Sequence, residues 1–140
     1  MERILSENAK ELALAGNSLI TLESDATNKH FTYKIQRSVN DDNLYFIKTL
    51  RGPDNEKDYR YIGCYFSDTG TFVVEKTYKN MPSFDWPKSI QAIRYFLNYI
   101  DNLPDKLHVY HNGRCCRCGR ILTTPESIKR GLGPECEKLV

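Results

Sequence analysis

No apolar run in this sequence approaches the ~18 residues that a membrane-spanning helix needs, which excludes a helical transmembrane protein and a membrane partner. The opening stretch MERILSENAKELALAG places acids early and lacks the continuous apolar core of a secretory signal. Charge of one sign is also scarce. Twenty basic against eighteen acidic residues leave +2, too little to imply a polyanionic partner by itself. There is no internal repeat, low-complexity stretch or flexible linker, so 140 residues read as one domain with at most a small appendage. A 40% hydrophobic and 27% charged composition is that of an ordinary globular chain, here expected to be cytoplasmic.

Cysteine is nearly missing from the first 114 residues, where Cys64 stands alone, and is then abundant. Cys115, Cys116, Cys118 and Cys136 crowd into the last 26 residues. A secreted disulfide scaffold would spread an even number along the chain, so this distribution favours a metal site in a reducing compartment. Charge follows the same division. Residues 111–140 hold six basic and three acidic side chains, whereas the rest of the chain is close to neutral.

The hydrophobic pattern predicts an α+β domain. Ile4, Leu5, Leu12 and Leu14, with alanines between them, suggest a first helix of about three turns, ended by Gly16-Asn17. Leu19–Leu22 and the alternating Phe31, Tyr33 and Ile35 read as a hairpin. Leu44–Leu50, Tyr59–Phe66 and Thr71–Tyr78 follow as further strands, giving an antiparallel meander of about five. Ile90, Ile93, Phe96, Leu97 and Ile100 recur at helical spacing after Pro87, as expected of a helix covering one face of the sheet. Residues 1–104 would form this α+β domain, and 105–140 a zinc-binding segment docked on it.

Cys115-x-x-Cys118 followed by Gly119 has the form of a zinc knuckle. Two intervening residues let both sulfurs reach one ion, and the glycine permits the tight turn around it. Cys136 arrives after Gly131, Gly133 and Pro134, suiting a tight turn or helix start. A closed tetrahedral site needs a fourth ligand. His111 is the candidate; His108 would point the opposite way on an extended chain, and Cys116 is too close to both knuckle thiols to chelate well. The competing readings are a cluster of free thiols, a redox C-x-x-C without its usual βαβ setting, and a hydrolytic or deaminating zinc beside Glu135 without the matching motifs. A saturated structural zinc, and no enzymatic activity, is the expectation.

The stretch from His111 to Cys136 resembles a domain of unknown function common in phage and mobile-element proteins, whose pattern is H-x-G-R-C-G-R-C-G-R-x-L-T-x-P-E-S-I-x-x-G-I-G-P-x-C. This chain departs from it at Cys116, where glycine is usual, and at Leu132, where isoleucine is usual. Upstream, Phe31-Thr32-Tyr33, Gly52–Asn55, Asp58-Tyr59 and Tyr61-Ile62-Gly63 look like small phage proteins that carry this tail. The resemblance implies a zinc-binding protein of phage type, with a treble-clef-like tail, and implies no activity.

Arg114, Arg117 and Arg120, with Lys129 and Arg130, are candidate contacts to DNA or RNA phosphates; equally, they offset thiolate charge. Tyr59, Tyr61 and Tyr65 are expected on one face of their strand, as core, with Arg60 on the other. Gly52–Asp58 reads as a turn without calcium-site spacing. Thr124-Pro125-Glu126-Ser127 reads as a capped helix start, with Ser127 capping or facing solvent. The expected function is a zinc-stabilised, non-enzymatic binding module that takes nucleic acid through its basic tail. The alternative is a small phage protein that binds and inhibits a host protein.

Overall fold

A computed structural model describes residues 1–140. Seven strands form one antiparallel sheet: β1 (Glu2–Ile4), β2 (Asn17–Ser24), β3 (His30–Arg37), β4 (Leu44–Leu50), β5 (Tyr59–Phe66), β6 (Thr71–Val74) and β7 (Leu107–His111). Their spatial order is β1-β7-β2-β3-β4-β5-β6. The expected meander is therefore present as β2 to β6, and two short strands extend it on one side. The helices are α1 (Ala9–Ala13), α2 (Lys88–Asn98), α3 (Pro125–Arg130) and α4 (Pro134–Glu137). None is long and apolar enough to cross a membrane.

One face of the sheet is buried, and α1 and α2 lie over it. Ile20, Tyr33, Ile35, Ile47 and Ile62 have no accessible surface and meet Ile90, Ile93 and Phe96 of α2. Polar tips on this face tie sheet to helices. The Tyr33 hydroxyl donates to the Ser89 carbonyl at the start of α2, and the Tyr45 hydroxyl donates to the Leu14 carbonyl after α1 at 2.8 Å. Burying such hydroxyls without partners would be costly, so both bonds also fix the layer spacing.

Three expectations need correction. The N-terminal helix is not three turns long: Glu2–Ile4 is an edge strand on β7, a 3-10 turn spans Ser6–Asn8, and α1 is only five residues. Long-range pairing of Ile4 with Val109 outweighs the local helical pattern. The boundary at 104/105 does not separate independent bodies either, because β7 sits between β1 and β2 inside the sheet. Finally, the tyrosines of β5 do not share a face. A register shift at Ile47/Lys48 adds a residue opposite β4, so Tyr61 pairs with Lys48 while Cys64 pairs with Phe46. Tyr65 is thereby turned into the core at 4% exposure, whereas Tyr61 stands on the opposite face at 40%.

Candidate metal centre

The chain from Asn112 to the C-terminus has little apolar surface to bury, and its local structure is built from backbone hydrogen bonds. Arg114 bridges Ile121 in a minimal antiparallel hairpin. Within it, the Cys115 N–H donates to the Arg120 carbonyl, the Gly119 N–H to the Cys115 carbonyl and the Leu122 N–H to the Gly113 carbonyl, each at 2.8 Å. Gly119 adopts φ +81° at the turn, and a Cβ there would lie 2.7 Å from the Asn17 amide nitrogen. Only glycine fits both demands. The Thr124 hydroxyl then caps α3 by accepting from the Ser127 N–H at 3.2 Å, with Pro125 opening the helix as expected. Ser127 itself is buried rather than solvent-facing.

Cys115, Cys118 and Cys136 converge, their sulfurs all within 4.8 Å of one another. Thiolates sharing a tetrahedral zinc, each about 2.3 Å from it, would sit roughly 3.8 Å apart, so the trio fits a metal with a small contraction. Cys115 and Cys136 are buried and Cys118 is exposed, which puts the rim of the centre at the surface. The surrounding donors suit thiolate rather than thiol. Burial pushes the Cys115 thiol up, but the N–H groups of Gly133, Cys118 and Arg117 directed at its sulfur bring it down to about 7. Burial raises Cys136, and the Arg117 guanidinium opposes that by donating to its sulfur at 3.8 Å. A bound metal would supply a crosslink here, joining the knuckle to the start of α4.

Cys116 does different work. It is fully buried outside the trio, and burial holds its thiol protonated, pushed up to about 12. Its backbone joins three elements: its N–H donates to the Gly131 carbonyl at 2.9 Å, and its carbonyl accepts from the Asn17 N–H at 2.8 Å.

His111 is not brought to the sulfurs. It lies on β7 in phase with Leu107 and Val109 and is wholly buried on the core face. Its Nε2–H donates to the Ile128 carbonyl of α3, and its Nδ1 accepts from the Gly113 N–H at 3.1 Å. With both nitrogens engaged, the imidazole is a buried neutral strut between sheet and tail, and burial lowers its pKa. Gly131 shows how close this packing is: a Cβ on it would meet Leu12 at 3.1 Å and His111 at 3.4 Å. His108 points away from His111, with Nε2 on Asp25 at 2.9 Å.

The five basic candidates divide. Arg117 serves the Cys136 sulfur. Arg130 latches the tail to the N-terminal region through Glu11 and to α4 through Glu137, the latter at 3.2 Å. Arg114 donates to the Gly119 carbonyl at 3.2 Å and stands 3.7 Å from Glu56. Arg120 and Lys129 are exposed without a carboxylate partner. Sequence reasoning missed the Arg130–Glu11 latch, whose partners lie 119 residues apart with no local signal. It also missed the Gly133 N–H, although Gly-Pro directly before Glu-Cys hinted at a turn presenting backbone to a sulfur. The loop at Gly52–Asp58 is a turn, its carboxylates spent internally: Asp54 accepts from the Glu56 N–H and Asp58 from the Asp54 N–H, both at 2.8 Å.

Residues 105–140 match a protein family described only as a family of unknown function, DUF6011. No curated protein and no solved structure matches the chain.

Proposed function

We propose that this chain is a non-enzymatic binding module whose C-terminal tail is held in place by zinc, and that its ligand is nucleic acid. Three thiols with N–H and guanidinium donors suit zinc among the divalent metals. Glu135 is exposed and Glu137 is bound to Arg130, which supports a structural rather than a catalytic metal. The observation that carries the nucleic-acid reading is uncompensated charge beside the centre: Arg120 and Lys129 project from the tail unpaired, and Arg114 is only loosely held by an exposed Glu56. The tail's resemblance to phage and mobile-element proteins supports a setting in a host cytoplasm. Fluorescence anisotropy with labelled DNA and RNA across a salt series tests this reading. We expect binding that weakens with salt, and a salt slope smaller by about 1 for each of Arg120→Ala and Lys129→Ala. Absence of binding to any polynucleotide at low salt would overturn it.

A second reading has its own observation. Phe84 is 74% exposed, and Tyr95 stacks on Tyr99 with ring centroids 4.7 Å apart on the outer side of α2. Exposed aromatics of this kind suit a protein partner, as a small inhibitor of a host protein would need. Stable capture of one host protein, insensitive to nuclease and lost in Phe84→Ala, would favour it.

A further inference from the structure

The sheet face opposite α1 and α2 is built from alternate residues of every strand, and its composition is unusual for a surface left to water. Lys34 of β3 and Lys48 of β4 are direct cross-strand partners. Like charges in that position oppose pairing, and neither lysine has a carboxylate within ion-pair distance. On the next strand Tyr61 is the partner of Lys48, and Phe46 lies two residues before Lys48 on the same face. Phe46 and Tyr61 are 38% and 40% exposed, with ring centroids 6.4 Å apart. Their rings thus offer faces to solvent immediately beside two unpaired ammonium groups.

The face does not end at the lysines. Beyond Lys34 it opens into a polar cleft of about 420 Å³, lined by Asn17, Gln36, Asn55 and Arg114 among others, between the sheet, the 52–58 loop and the knuckle. The acids nearest this path are already engaged. Glu56 faces Arg114, and Glu75, near Tyr61, accepts from the Thr77 hydroxyl. Lys34 itself is positioned by the Tyr59 ring, 4.2 Å from the centroid, and by the Glu56 carbonyl. These contacts orient its charge without neutralising it.

We infer that this open sheet face is the binding surface for single-stranded nucleic acid, with bases stacked on Phe46 and Tyr61, the backbone following Lys48 and Lys34, and the strand continuing into the cleft at Arg114. Aromatic faces take any base, and a row of cations beside them follows the phosphates; duplex bases, stacked within the helix, cannot use the rings. The register shift in β5 is what makes the surface, because it keeps Tyr61 out of the core that takes Tyr65. The inference rests on the nucleic-acid reading above and adds to it the strandedness of the ligand and the face that holds it.

The test compares oligothymidylate, oligouridylate and duplex DNA, each labelled, against wild type, Phe46→Ala/Tyr61→Ala, Lys34→Gln/Lys48→Gln and Arg120→Ala/Lys129→Ala. Metal content and circular dichroism confirm that each variant is folded, and all substituted side chains are at least partly exposed. We expect single strands to bind best, and affinity to fall roughly five- to hundred-fold for each stacking ring removed. The lysine pair should lower the salt slope by about 2. Equal affinity for oligothymidylate and oligouridylate, or a preference for either, fits this face and reports whether a 2′-hydroxyl is read. Unchanged single-strand binding in Phe46→Ala/Tyr61→Ala, with loss in Arg120→Ala/Lys129→Ala, would overturn the sheet-face inference and leave the tail reading standing. No binding by wild type would overturn both. Equal competition by inorganic polyphosphate would show charge without stacking and would also overturn the inference.

Discussion

The sheet with α1 and α2, and the tail from Asn112 onward, are held by different physics. The first buries its side chains by periodicity: isoleucines and tyrosines of one sheet face close against Ile90, Ile93 and Phe96, with no accessible surface on most of them. The tail has only Leu122, Leu132 and its cysteines to bury. It relies instead on backbone bonds through Cys116, on His111 as a strut, on the Arg130–Glu11 latch, and on the three thiols. The difference shows how a segment too short for its own core borrows one: it places a strand, β7, inside its neighbour's sheet and crosslinks the remainder.

Three perturbations separate the two regions, in order of decreasing effect. The largest is loss of the metal. Structural zinc in small peptides contributes about 10–16 kcal/mol at neutral pH, and here a share of that stabilises the tail. Cys136→Ser, or a strong chelator, should abolish hydrogen-exchange protection at Cys115, Gly119 and Leu122 while β3, β4 and β5 keep theirs. Simultaneous loss throughout would mean that the two regions form one cooperative unit. Next is Ile93→Ala, a cavity in the apolar layer costing about 2–5 kcal/mol in denaturant unfolding, with metal content unchanged. If that variant lost its metal, the separation would fail.

The smallest effect concerns pH. Burial holds the folded-state pKa of His111 below its ordinary 6.5. As pH falls through about 6.5, the unfolded chain takes up a proton that the folded chain resists, so stability declines on acidification. His111→Gln should cost about 1–3 kcal/mol at pH 7.5 and should show a flatter decline between pH 7 and 5.5. Protons also compete for the thiolates, but equally in both proteins, so the difference between their slopes isolates the imidazole. Parallel slopes would remove His111 from the account of acid sensitivity.

What could be read from the sequence was local. The β2–β6 meander, α2 and the Thr124 cap follow from alternation, helical spacing and cap chemistry, which depend on neighbours a few residues away. The same holds for the three cysteines, whose spacing already specified a shared site. What could not be read was set at long range. Ile4 joins a strand because Val109 is there to pair with it, and Arg130 finds Glu11 across nearly the whole chain. His111 is the instructive case. Its place four residues before Cys115 suggested a ligand, yet its alternation with Leu107 and Val109 also assigned it to a buried strand face, and that weaker signal prevailed. The tyrosines of β5 diverge for a similar reason, since one added residue reverses the side-chain phase of half a strand.

The central claim is that three thiols hold the metal while His111 holds the sheet to the tail. Metal content per chain, measured on reduced wild type, Cys118→Ser and His111→Gln, tests it most directly. The account predicts one zinc per chain in wild type, loss of it in Cys118→Ser, and full retention in His111→Gln despite that variant's lower stability. A folded His111→Gln protein without zinc, or a wild type that binds none, would contradict it.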